Sequence, residues 1–98
     1  MKKNGLKFNV VDLNNGKGIK NATFELRQND ILVTSSASDI NGLVKFNKVF
    51  PGYYSLIQTT TDSNHIINEN IFNLLIEENK ILINGNMTNF VIKNKRRQ

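Results

Sequence analysis

The sequence predicts an all-β sandwich of about seven strands, and three observations carry that prediction. Four Asn-Gly pairs, at Asn4, Asn15, Asn41 and Asn84, punctuate the chain. Asn-Gly tolerates the positive φ that tight hairpin turns need. The runs between these pairs are rich in Val, Ile, Phe, Tyr and Thr, the residues that suit a pleated surface. No segment holds a convincing amphipathic helical period over three turns.

The strands follow in order. In 6–12, Leu6, Phe8 and Val10 share a face. Ala22, Phe24 and Leu26 do so in 22–28, and a further run covers 31–36. Asp39-Ile40-Asn41-Gly42 then offers a turn. Strand 43–48 follows it, with Val44 and Phe46 on one side and Leu43 and Lys45 on the other. Pro51-Gly52 breaks the run. In 53–60, Tyr54, Leu56 and Gln58 alternate with Tyr53, Ser55 and Ile57. Thr59 to Glu69 is polar and reads as a surface loop. Ile71, Leu74 and Leu75 have helical spacing, but Phe72, Leu74 and Ile76 fit a strand over 71–77 equally well, and the all-β context decides for the strand. Runs at 80–83 and 88–94 complete the set, the last with Phe90 and Ile92 on one face. Two sheets face to face would bury these faces against each other. A one-residue slip in any strand would expose its set, so register is strongly specified.

Ninety-eight residues make one domain, with a core over about 6–94 and basic, flexible ends. There is no cysteine, which removes disulfides, thiol nucleophiles and zinc knuckles from consideration. The formal charge is +5, a balance that raises nucleic acid or anionic membrane as partners. Its distribution argues against both. Lys2, Lys3, Lys93, Lys95, Arg96 and Arg97 lie at the two ends, and the remaining seven basic residues face eight acidic ones. Neither end interleaves aromatics with its bases, as stacking on single strands favours. No stretch approaches the roughly 20 apolar residues of a membrane span.

The ordered motifs also carry a resemblance. Val11-Asp12, Asn15-Gly16-Lys17 and Ile19 to Leu26 look like the opening of the Cna B-type, or SpaA-type, prealbumin-like domain of Gram-positive surface proteins. Asp39-x-x-Gly42 with Pro51-Gly52-x-Tyr54-x-Leu56 is similar to its central signature. Phe90 to Lys95 is similar to its closing strand with a terminal Asn. The resemblance runs from about Leu6 to Asn94. It implies a prealbumin-like (transthyretin/Ig-like) sandwich with first and last strands adjacent.

Many domains of that family carry a self-formed amide bond between a Lys in the first strand and an Asn in the last, assisted by a buried acid on a middle strand. Such an amine is nucleophilic only when burial keeps it neutral, and a neutral acid nearby can shuttle protons. Residue by residue, the Lys position falls at Val10, the acid at Gln58 and the Asn at Asn94. All three have inward parity. The electrophile is kept, while the nucleophile and the proton shuttle are lost. Lys7 is an odd number of residues from Val10 and should face outward. The expectation is no crosslink, with a side-chain hydrogen bond between Gln58 and Asn94 instead.

Other residues have plain readings. His65 is the single histidine and lies in a polar run without a paired ligand pattern, so it reads as an ordinary loop residue. Asp39-x-Asn41-Gly42 lacks the further ligands of a calcium loop. Glu77-Glu78 reads as a solvated strand end, and Tyr53 as an outward residue at the sandwich edge. Asn21-Ala22-Thr23 and Asn86-Met87-Thr88 match a glycosylation pattern that matters only in a eukaryotic secretory host. No catalytic, cofactor or metal site is expected, and the chain reads as no enzyme.

The resemblance implies a stalk or spacer module of a bacterial surface adhesin or pilus-type protein, outside the cell and attached to its wall. Expected partners are neighbouring domains of a longer protein, with no nucleic acid and no membrane insertion. Lys2 and Lys3 look like the start of a signal peptide, but Leu6 to Val11 is too short for its apolar region. No sorting tail follows Gln98, so the chain reads as one module of a longer protein. Two alternatives stay open. The domain could itself bind host protein or glycan through loops 29–31 and 59–69, or serve as a carbohydrate-binding accessory domain of a secreted enzyme. The lack of Trp and the presence of only two tyrosines argue against the last.

Overall fold

The computed structural model describes residues 4–77, 81–83 and 91–97. Among them are nine strands and no helix: β1 (Asn4–Asp12), β2 (Thr23–Gln28), β3 (Ile31–Ala37), β4 (Leu43–Val49), β5 (Gly52–Thr60), β6 (His65–Ile66), β7 (Phe72–Ile76), β8 (Ile81–Ile83) and β9 (Val91–Arg96). They form two sheets, ordered β4-β1-β9-β6 and β3-β2-β5-β7-β8. The all-β sandwich expected from the sequence is present, with two short strands, β6 and β8, beyond the seven longer ones.

The alternation predicted for the strands is realised at most of the described positions. Leu6, Phe8 and Val10, then Ala22, Phe24 and Leu26, then Val44 and Phe46 are buried, with Tyr54, Leu56, Leu74, Ile76 and Ile92. Phe72 is only partly buried against them. Phe90, Asn84, Glu78 and Asn86-Met87-Thr88 lie outside the described residues. The Phe8 ring meets Phe24 edge-on at 5.0 Å and lies over Phe46 at 6.4 Å, so one aromatic trio joins both sheets at the centre. Such aromatic pairs add about 0.5–1.5 kcal/mol beyond area burial. Ile19 and Val49 complete the apolar interior, and strand parity had not included either. Ile19 lies in a loop.

The first and last strands are neighbours, and they run parallel. Asn9 lies opposite Val91, Val10 opposite Ile92, Val11 opposite Lys93 and Asp12 opposite Asn94. Antiparallel β4 flanks β1 on the other side. Two glycines permit a tight meeting there. A Cβ on Gly18 would lie 2.0 Å from the Asn41 carbonyl oxygen, and one on Gly42 would lie 2.5 Å from that of Val10. Gly42 also has φ +81°, which suits glycine. Asp39 shapes this turn by accepting from the amides of Asn41 and Leu43. Asn15-Gly16 is likewise a turn, but Asn4-Gly5 lies within β1 beside a register shift. An Asn-Gly pair there marks an irregular strand, as glycine in strands often does.

Two segments depart from the expected strands. The polar stretch 59–69, read as loop, contains β6, paired with β9 at His65–Arg96 and Ile66–Lys95. β9 runs on to Arg96, past the expected end at residue 94. Backbone pairing to β6 draws Lys95 and Arg96 into the sheet, so these two bases are strand residues and not part of a loose end.

Candidate functional site

Two polar clusters are buried in the sandwich. The first gathers positions that the sequence singled out. Val10, Gln58 and Asn94 are 0%, 2% and 0% exposed. Gln58 stands on β5 and Asn94 on β9, so their contact crosses between the sheets. Gln58 Nε2 donates to Asn94 Oδ1 at 2.7 Å, and Asn94 Nδ2 donates to Gln58 Oε1 at 2.8 Å. Gln58 Nε2 also donates to the Thr60 carbonyl, and Gln58 Oε1 accepts from the Asn68 amide. Every donor and acceptor of Gln58 is therefore used, as a buried amide requires. Val10 is packed in the apolar core, while Lys7 is exposed. The hydrogen bond expected between Gln58 and Asn94 is present.

The second cluster corrects the reading of His65. This residue is 8% exposed and belongs to β6. Its Nε2 lies 2.8 Å from Asp12 Oδ2 and its Nδ1 lies 2.5 Å from Asp62 Oδ1. Both ring nitrogens face carboxylate oxygens, which when ionised only accept, so the arrangement favours the imidazolium, which can donate from both. Burial alone would lower the His65 pKa; the hydrogen bonds and charges of Asp12 and Asp62 outweigh it and raise it. Arg96 Nε donates to the same Asp12 Oδ2 at 2.9 Å. Asp12 Oδ1 accepts from the amides of Asn14 and Asn15. His65, Arg96 and these amides hold the Asp12 carboxyl far below the usual carboxylate range.

The two aspartates and two cations compensate one another. Chemically the cluster is a fastener: it joins the end of β1, the end of β9 and the 62–65 turn. Within it Asp12 is fully engaged, since both its oxygens accept hydrogen bonds, and both ring nitrogens of His65 face a carboxylate. Sequence reasoning missed it because the partners are far apart: Asp12 and His65 are separated by 53 positions, Asp12 and Arg96 by 84. The one local signal was Asp62 three residues before His65.

The other singled-out residues are plainly placed. Tyr53 is 74% exposed on β5. Asn21 is exposed in a turn with φ +63°, and Asp39 caps a turn. Among the described residues, no helix is long and apolar enough to cross a membrane.

Comparisons with known proteins agree with this architecture. A family model described as the SpaA prealbumin-like fold domain matches residues 4–90. A comparison with curated proteins finds no match. Among solved structures, the chain resembles the Bacillus anthracis TIE protein, with a TM-score of 0.77 and 26% identity over 94% of this chain and 17% of that one. It also resembles the pilus 2b backbone protein of group B streptococcus, with a TM-score of 0.73 and 11% identity over 98% of this chain and 42% of the other. BcpA, the major pilin subunit of Bacillus cereus, gives a TM-score of 0.72 and 20% identity over 98% of this chain and 31% of the other. The likeness to the two pilus proteins is one of fold. The chain spans less than half the length of each of these structures.

Proposed function

The chain belongs to the SpaA family of prealbumin-like fold domains, and from that premise we propose that it is a structural stalk or spacer module of a Gram-positive surface protein of adhesin or pilus type. It would work outside the cell, beside neighbouring domains of a longer protein, and without catalysis. One observation carries the reading: β1 and β9 are adjacent and parallel. Tension applied through the two ends of such a pair pulls the strands past each other. Their hydrogen bonds then lie across the pull and resist as a group.

In this reading the module holds without the family's Lys–Asn amide bond. Val10 has no amine, and Gln58 cannot exchange a proton. The Gln58–Asn94 amide pair and the Asp12–His65–Arg96 cluster supply non-covalent ties in the same region.

Single-molecule stretching tests this role. The domain is pulled by its ends and, separately, through residues 23 and 60, which lie opposite each other in antiparallel β2 and β5 and so unzip one bond at a time. End-pulling should need the higher force. Equal or lower force through the ends would remove the mechanical argument.

A further inference from the structure

Between the 63–65 turn and the end of β9 lies a cleft of about 350 Å³, lined by Ser63, Asn64, His65, Arg96 and Arg97. Among the described residues, no acidic one lines it. Arg97 is fixed from two sides: its amide donates to the Asn64 carbonyl at 2.9 Å, and its Nε donates to the His65 carbonyl at 3.1 Å. Arg96 is fixed through Nε to Asp12. In both residues it is Nε that makes the bond, and the terminal Nη groups make none among the described residues. Arg97 has no carboxylate partner among them. The charges of Asp12 and Asp62 are already taken up by His65 and Arg96. Two oriented guanidinium groups thus border a cleft whose remaining lining is Ser63, Asn64 and His65.

We propose that this cleft binds an acidic saccharide, with a sulfate or carboxylate of the sugar on the Arg96 and Arg97 guanidinium groups and its hydroxyls on Ser63 and Asn64. The planar fork of arginine suits oxyanions, and its preorganisation, by the His65 carbonyl for Arg97 and by the Asp12 carboxylate for Arg96, reduces the ordering cost of binding. Ser63 and Asn64 each offer both a donor and an acceptor, which matches a sugar hydroxyl. Among the described residues, no aromatic one lines the cleft, so they offer the bases of a nucleic acid no stacking surface. The site would serve a stalk and a binding module alike, and stands or falls apart from the mechanical role.

The test is an NMR titration of the whole domain with four probes: a sulfated heparin disaccharide, its unsulfated uronate counterpart, inorganic sulfate and a short oligothymidylate. The expected result is saturable shifts at the amides of Ser63, Asn64 and His65 and at Arg97 Nε–H, with either saccharide binding more tightly than inorganic sulfate. The ratio between the two saccharides tells sulfate from carboxylate recognition. Arg97→Gln should weaken saccharide binding by about tenfold or more, since it removes a charge-assisted hydrogen bond. Arg97→Lys keeps the charge without the fork, and should weaken it less. The double variant Lys93→Gln/Lys95→Gln should weaken it by no more than about twofold, because neither lysine lines the cleft and exposed charges without direct contact contribute little. Unchanged amide shifts in the core report that each variant is folded. Absence of saturable shifts, tighter binding of the oligothymidylate, or equal weakening by the Arg97 and the Lys93/Lys95 variants would each overturn the proposal.

Discussion

The imidazole of His65 lies 2.8 Å from Asp12, a residue 53 positions earlier, and joins it to Asp62. The pair makes stability depend on pH from both sides. The Asp12 pKa is lowered in the folded chain, so its contribution is present above the unfolded carboxylate value near 4 and is lost as pH falls below it. The His65 pKa is raised, so its contribution is complete below about 6.5 and is lost as pH rises through the folded value. Urea midpoints should therefore be highest between about pH 4 and 6.5. His65→Gln should flatten the alkaline side while leaving an acid-side decline from Asp12. An unaltered alkaline decline in that variant would assign the effect elsewhere.

The C-terminal bases are expected to matter for the fold. Sequence reasoning placed these bases in a flexible end beyond the core. The structure instead ties Arg96 to Asp12 and Arg97 to the 64–65 backbone. Deleting residues 96–98 should lower the urea midpoint and speed hydrogen exchange at Ile66, with the amides of β1 and β4 still protected. Unchanged exchange at Ile66 would show that β6 holds without them.

Gln58 is predicted to be intolerant of apolar replacement. Gln58→Leu leaves Asn94 buried with both amide groups unpartnered. An unsatisfied buried group costs about 1–3 kcal/mol, and chemical denaturation should read a loss in that range. Gln58→Glu should lose more at pH 7 than at pH 4, because the Thr60 carbonyl and Asn94 Oδ1 would face a carboxylate. A pH-independent loss would contradict this.

Phe24, fully buried against Phe8, should cost ~3–5 kcal/mol on change to Ala, as core aromatics do. A cost well below that would contradict the central trio as the point where the sheets are joined.

The intact mass should equal the sequence mass, without the ammonia lost when Lys and Asn form an amide. Val10→Lys with Gln58→Glu is predicted to restore that loss at Asn94, since all three positions are buried and β1 adjoins β9. Val10→Lys alone should destabilise, because it buries an unpartnered charge. A folded double variant of unchanged mass would mean that the pocket no longer aligns amine and amide.

Strand parity made most of the interior legible, because alternation is a local property and Phe24 or Leu56 needs no distant partner to be read as inward. The Gln58–Asn94 contact was legible only through the family resemblance, which named both positions. Ile19 was missed because its burial depends on Gly18 and Gly42 bringing a loop against β1. His65 was missed for a similar reason: a polar run with one His looks solvated until Asp12 and Arg96 arrive from the two ends of the chain.

Because β1 and β9 run parallel, the chain comes in at one end of the sandwich and leaves at the other. From Asn4 to Asp12, and then from Asn94 to Arg96, the pair spans ten residue steps, or about 33 Å at strand rise, against a longest dimension of 44 Å. A row of such modules would therefore lengthen by roughly 33 Å with every copy. An antiparallel pairing of the same two strands would return the chain to its starting side and add almost nothing to the distance spanned.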